Sequence, residues 1–138
     1  MYAPAFRLRS FDSIPQPAAM KVLCALLEAL TTANVAYLFV HPHTPELYAS
    51  GVRYEEEPPG RDEWQDIPDT IARRTGDCED LACWRVAELR VKGARRTKHG
   101  VTVSQIPDAH GKPVTTFHIR VVHENGEVED PSRILGMA

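Results

Sequence analysis

The chain has no basic excess, no apolar run free of polar residues that is long enough to cross a membrane, no internal repeat and only three cysteines. Each shortage excludes something. A net charge of -3 over 138 residues leaves no electropositive footprint, so neither nucleic acid nor an anionic membrane surface is expected as a partner. The most apolar stretch, residues 18–40, is broken by Lys21, Glu28 and Asn34 and reads as too polar to span a bilayer. Residues 1–15 carry Arg7 and Arg9 but no apolar run ahead of a small-residue cleavage site, so no secretory signal is expected. Cys24, Cys78 and Cys83 cannot all pair with one another, and their spacing fits no zinc pattern. Reduced thiols and a cytoplasmic location follow as expectations.

What is present suits a single soluble domain over residues 1–138, held by its own core: 43% of the residues are hydrophobic and 25% charged. Pro15 and Pro17 fit the opening turn of a first helix that runs to about Ala33, with Met20, Leu23, Leu27 and Leu30 at helical spacing. Cys24 reads as a small buried hydrophobe of that helix. The run Val35 to Val40 fits either a strand or a buried extension of the helix. His41 and His43, among prolines and without a third ligand, read as a surface loop. Thr44 and Pro45 cap a short helix through Tyr48. Glu55 to Gly60 is a charged, proline-stiffened loop.

A second helix is expected over about residues 78–92, capped by Thr75 or Asp77 and stopped by Gly93. It is apolar on most sides, which marks a central helix, and Arg85 within it needs a partner such as Glu88. Cys78 stands at its first turn, where unpaired N–H groups and the positive helix end favour a thiolate and can hold an oxyanion. After residue 100 the apolar period changes to two: strands at 101–106 and 114–123, then a third ending near Asp130, form an antiparallel meander. A helical half followed by such a meander is an α+β pattern.

Cys78 is the candidate nucleophile. His118, mid-strand on a rigid sheet, is the candidate base, and Asp130 the candidate acid that orients it. Register decides whether Asp130 can serve. A two-residue turn at Asn125 and Gly126 sets Asp130 opposite Val121, on the wrong face. A three-residue loop of Glu124, Asn125 and Gly126 sets it opposite Arg120, diagonal to His118 and on its face. The second arrangement, a type I turn with Gly126 left-handed and a bulge, is predicted here. Trp64 and Gln65 are candidate second donors to the oxyanion, with core packing the other role for Trp64.

Gly76-Asp77-Cys78-Glu79-Asp80 followed by Leu81-Ala82, with Tyr54, Asp62, Trp64 and Pro68 upstream, resembles the bacterial transglutaminase-like cysteine proteinases. Phe117-His118 and Glu129-Asp130-Pro131-Ser132 resemble the histidine and Asp-Pro elements of the wider transglutaminase-like group. The likeness spans about residues 51–135 and, in so short a chain, is similar to the compact versions that phages and prophages encode. It implies a papain-like α+β fold, a Cys78-His118-Asp130 triad, a protein or peptide substrate and no required cofactor. Proteinases of that family commonly have asparagine after the aspartate, where this chain has Pro131. Asp77, Glu79 and Asp80 suit a helix start, yet their charge opposes a thiolate at Cys78. Some members of the resembled family bind calcium at these acids, so the three are candidate calcium ligands; the other reading makes them capping acids turned to solvent.

Overall fold

The structure, a computed structural model, describes Leu8, residues 11–58 and residues 63–138. Arg7, Arg9, Asp62 and the Pro59-Gly60 end of the acidic loop lie outside the described residues. The architecture is α+β, with four helices, a three-stranded antiparallel sheet and a two-residue parallel pair among the described residues.

Helix α1 (Gln16–Val40) opens with proline in its first turn and runs past its expected end. Val35 to Val40 continue the helix because Tyr37 and Leu38 pack against the cluster around Leu47. Its inward stripe is Ala19, Leu23, Leu27, Thr31 and Asn34, at spacings of three and four that keep one face. Cys24 lies off that stripe and is exposed, which corrects the expectation that it is buried. By length and composition α1 is also apolar enough to cross a membrane, so Lys21, Glu28 and Asn34 do not exclude it on that measure. In this fold its apolar stripe is laid against the third helix instead.

A 3-10 turn at Leu47–Ala49 leads to β1 (Arg53–Tyr54), and a short helix α2 (Ile67–Arg73) leads to β2 (Thr75–Gly76), which pairs in parallel with β1. Asp66 caps α2, and Asn34 of α1 accepts the Ile67 N–H at 2.9 Å. Helix α3 (Cys78–Val91) follows directly. It separates two apolar clusters. Cys78, Ala82, Cys83 and Val86 face Leu23 and Leu27 of α1 and the inner sheet residues Ile119 and Val121; Leu81 and Trp84 face Leu47, Val52, Ile67 and Leu135.

Strands β3 (Lys98–Pro107) and β4 (Pro113–Val122) form a long hairpin, and β5 (Val128–Glu129) pairs with the far end of β4 before α4 (Pro131–Ile134). The register Val121↔Glu129 and Val122↔Val128 is the one set by a three-residue loop. His123 N–H donates to the Glu127 carbonyl at 2.8 Å, the Gly126 N–H returns to the His123 carbonyl at 2.9 Å, and Gly126 has φ +90°. A tight two-residue turn is thus replaced by the looser loop, and Asp130 comes onto the face of His118.

Between α1, α3 and β3 lies a contact that the sequence did not suggest. His99 Nε2 is 2.8 Å from the Thr31 hydroxyl and 3.7 Å from the Cys83 sulfur, with Nδ1 3.5 Å from Glu28. Burial pulls the His99 pKa down from 6.5 to about 4, outweighing the attraction of Glu28. The unfolded chain therefore binds more protons than the folded one between those values, and stability is lost as pH falls from 6.5 towards 4. The full loss is about 3 kcal/mol. Urea unfolding at neutral pH and at pH 4.5 should show most of this difference in the wild type and little of it in His99→Gln; equal pH sensitivity in both would refute the assignment.

Candidate active site

The motif around Cys78 folds as it does for local reasons. A side chain at Gly76 would press on Asp80 at 3.1 Å and on Leu81 and Thr70 at 3.3 Å, so glycine lets β2 run close beneath the first turn of α3. Asp77 then caps the helix, accepting the Asp80 N–H, while the Asp80 carboxylate accepts the Asp77 N–H at 3.1 Å. This reciprocal box holds the Asp77 and Asp80 N–H groups, and the Cys78 N–H stands outside it. A first-turn donor of this kind is suited to hold an oxyanion.

On the sheet side, His118 Nε2–H donates to Asp130 Oδ2 at 2.8 Å. A carboxylate only accepts, so the ring proton sits on Nε2 and Nδ1 is the basic nitrogen. Both side chains are partly shielded, at 23% and 16% exposure, and Asp130 also caps α4. The thiol meets β4 one residue further on, where Ile119 packs with Cys78 and its backbone N–H favours the sulfur anion. Sequence reasoning missed this contact, because a backbone donor has no residue signature. The residue after His118, Ile119, packs in the cluster that contains Cys78, while among the described residues no hydrogen bond joins the thiol to the His118 ring.

No family model matches the chain, and no curated protein or solved structure matches it.

The electrostatics around the thiol are opposed. Burial pushes the Cys78 pKa well up, and the charge of Glu79 and then Asp77 adds to the shift; the Ile119 N–H works against them. The Glu79 carboxylate lies near enough to the thiol to favour its neutral form. Replacing Glu79 with glutamine should move the pH midpoint for alkylation of Cys78 downward. A fall of one unit raises the thiolate fraction about tenfold and lowers its nucleophilicity about threefold, a net gain of about threefold at neutral pH. An unchanged pH profile would show that Glu79 does not oppose the thiolate.

The acids do not group as expected. Glu57, Asp77 and Asp80 bring carboxylate oxygens within 4.8 Å of one another, and Glu79 is not among them. Among the described residues the close group thus takes Asp77 and Asp80 of the three candidate ligands and adds Glu57 in place of Glu79. Asp77 and Asp80 do not turn to solvent: burial and then the Asp77 charge push the Asp80 carboxyl strongly up. The Asp77 side of the turn lines a cavity of about 240 Å³ whose wall includes Glu55, Glu56, Glu57 and Glu63, with Arg73 as its cation.

Gln65 is corrected as an oxyanion donor. Its side-chain amide donates to the Thr75 carbonyl at 2.9 Å and lies 3.4 Å from the Thr70 hydroxyl, while its backbone N–H goes to Asp80 at 2.7 Å. It is a strut between α2, β2 and the capping box. Trp64 packs against the cluster that contains Cys78, which is the core role considered for it.

The fixed point of this region is Arg85. Its guanidinium donates to Glu129 at 2.7 and 3.3 Å and to Glu88 at 3.0 Å. Glu129 also accepts from the Tyr48 hydroxyl and from His123. Glu88 is the partner that spacing suggested, and Glu129 is the one that it missed. The network clamps β5 to α3 one residue before Asp130.

Proposed function

We propose that this protein is a cysteine-dependent amide hydrolase or acyltransferase, and foremost a peptidase, on a papain-like, transglutaminase-like scaffold. The observation that carries the reading is the His118-Asp130 hydrogen bond, held on the strand whose next residue, Ile119, packs with Cys78. His118 Nδ1 takes the thiol proton, and the sulfur attacks the amide carbonyl. The Cys78 N–H at the start of α3 holds the oxyanion; Trp64 is kept as a further donor. The amine leaves with the proton from His118, and water or another amine resolves the thioester. Calcium enters no step; if one binds, Glu57, Asp77 and Asp80 are its ligands, and a compact, phage-type cytoplasmic enzyme needs none.

A simple acyl donor tests this. With p-nitrophenyl acetate, the Cys78 sulfur should displace p-nitrophenolate and carry an acetyl group that hydroxylamine removes, as read by mass spectrometry of the Cys78 peptide. His118→Ala should lose the adduct, while Cys24, which is exposed, serves as reference. A second reading, a non-catalytic interaction module, is favoured by the burial of Cys78 and the carboxylate near its sulfur. Absence of the Cys78 acetyl adduct in the wild type would leave that reading standing alone.

A further inference from the structure

The strand that carries His118 is paired along its whole length on one side and only at its end on the other. Against β3 it pairs from Pro113 to Val122; against β5 it pairs only at Val121 and Val122, with the His123 bond just beyond. Among the described residues, no backbone pairs with the outer edge of β4 from Pro113 to His118.

Alternation tells which groups stand on that edge. The His123 N–H goes to the Glu127 carbonyl in the connection to β5, on the edge where β5 pairs, so odd-numbered residues point outward. The His118 carbonyl accepts from Thr102 on β3, so even-numbered residues point inward. Phe117 and Thr115 therefore offer N–H and C=O groups outward, repeating about every 6.8 Å along the strand from Ile119, which packs with Cys78. Alternating donors and acceptors at that repeat match another extended polypeptide backbone. The chain already places one there: β5 lies on the same edge, antiparallel, and leaves it at Asp130.

We propose that the open edge of β4, at Phe117 and Thr115, binds the substrate's polypeptide backbone as an added antiparallel strand, on the leaving-group side of the amide attacked by Cys78. This rests on Cys78 being the nucleophile. A strand antiparallel to β4 passes the thiol first, then Phe117, then Thr115, so the residues it pairs there follow the attacked carbonyl. Strand addition of this kind draws affinity from main-chain hydrogen bonds and is tolerant of side-chain sequence. It selects extended, unfolded or loop segments over helices.

The experiment compares two alkylating agents of equal chemistry. Iodoacetamide and N-iodoacetyl-tetra-alanine amide both lose iodide to the thiolate, but the second carries a peptide where the leaving group's chain would run. In the wild type the peptide reagent should label Cys78 about tenfold faster, the worth of roughly two net backbone hydrogen bonds. Thr115→Pro removes one outward N–H at a position where an edge strand accepts proline, and should bring the ratio of the two rates down severalfold. N-methylating alternate residues of the reagent should abolish the enhancement in one set and spare it in the other, a test that needs no variant. Equal rates for both reagents, or indifference to both methylation sets, would overturn the edge proposal. An iodoacetamide rate at Cys78 that ignores His118→Ala would instead overturn the nucleophile reading, and the edge proposal with it.

Discussion

Replacing His118 with alanine should slow iodoacetamide labelling of Cys78 at neutral pH by about a hundredfold or more, while Cys24 keeps its rate. The size of the effect follows from the surroundings of the sulfur. Burial, Glu79 and Asp77 all hold Cys78 as a neutral thiol, and the Ile119 N–H alone does not reverse them. An isolated anion there would be a buried, uncompensated charge. Passing the proton to His118 replaces it with a thiolate-imidazolium pair whose positive member is backed by Asp130 at 2.8 Å. Without the imidazole that route is closed. Asp130→Asn keeps the cap of α4 yet loses the charge behind the ring, so an intermediate loss of about tenfold is expected. Rates resolved by mass spectrometry for each cysteine check both values. A His118→Ala variant with an unaltered Cys78 rate would remove the histidine from the chemistry.

How much of this arrangement the sequence discloses depends on whether a local rule governs the feature. The α3 cap is legible because Asp77 and Asp80 are spaced for a capping box. The β5 register is legible because period two allows only two faces, and a single added loop residue decides between them. By contrast, β1 and β2 are two residues each, too short to show any period. Helix α2 is held by Asn34 from far along the chain, and its seven residues carry little pattern of their own. Cys24 was misplaced because Leu23, Leu27, Thr31 and Asn34 set the buried face of α1, and polar Thr31 and Asn34 hid its direction. The sorting of three adjacent acids, Glu79 near the thiol and Asp77 and Asp80 at the cavity with Glu57, depends on side-chain direction within one turn. No sequence spacing encodes that.

Arg85→Met should cost about 3–5 kcal/mol of stability, the usual penalty for removing one member of a buried ion network. Arg85, Glu88 and Glu129 have side chains only 15%, 6% and 17% exposed, so the carboxylates left behind would lie in poor solvent. Burial pushes the Glu129 carboxyl up, yet the bonds from Arg85, Tyr48 and His123 outweigh it and hold the group below its usual range. Its contribution is therefore present above the unfolded carboxylate pKa and lost as pH falls through the folded one, at more acid pH than the His99 loss. Thermal and urea unfolding at neutral pH measure the cost, and adding Glu88→Gln and Glu129→Gln to Arg85→Met should recover part of it by removing the stranded charges. The same clamp reaches the chemistry. Glu129 and Asp130 are consecutive on β5 and its exit, with side chains to opposite faces, so a β5 released from Arg85 no longer presents Asp130 to His118. Well below its melting temperature, Arg85→Met should therefore label at Cys78 as slowly as Asp130→Asn does. A stable Arg85→Met protein with wild-type labelling would show that β5 holds its register without the clamp.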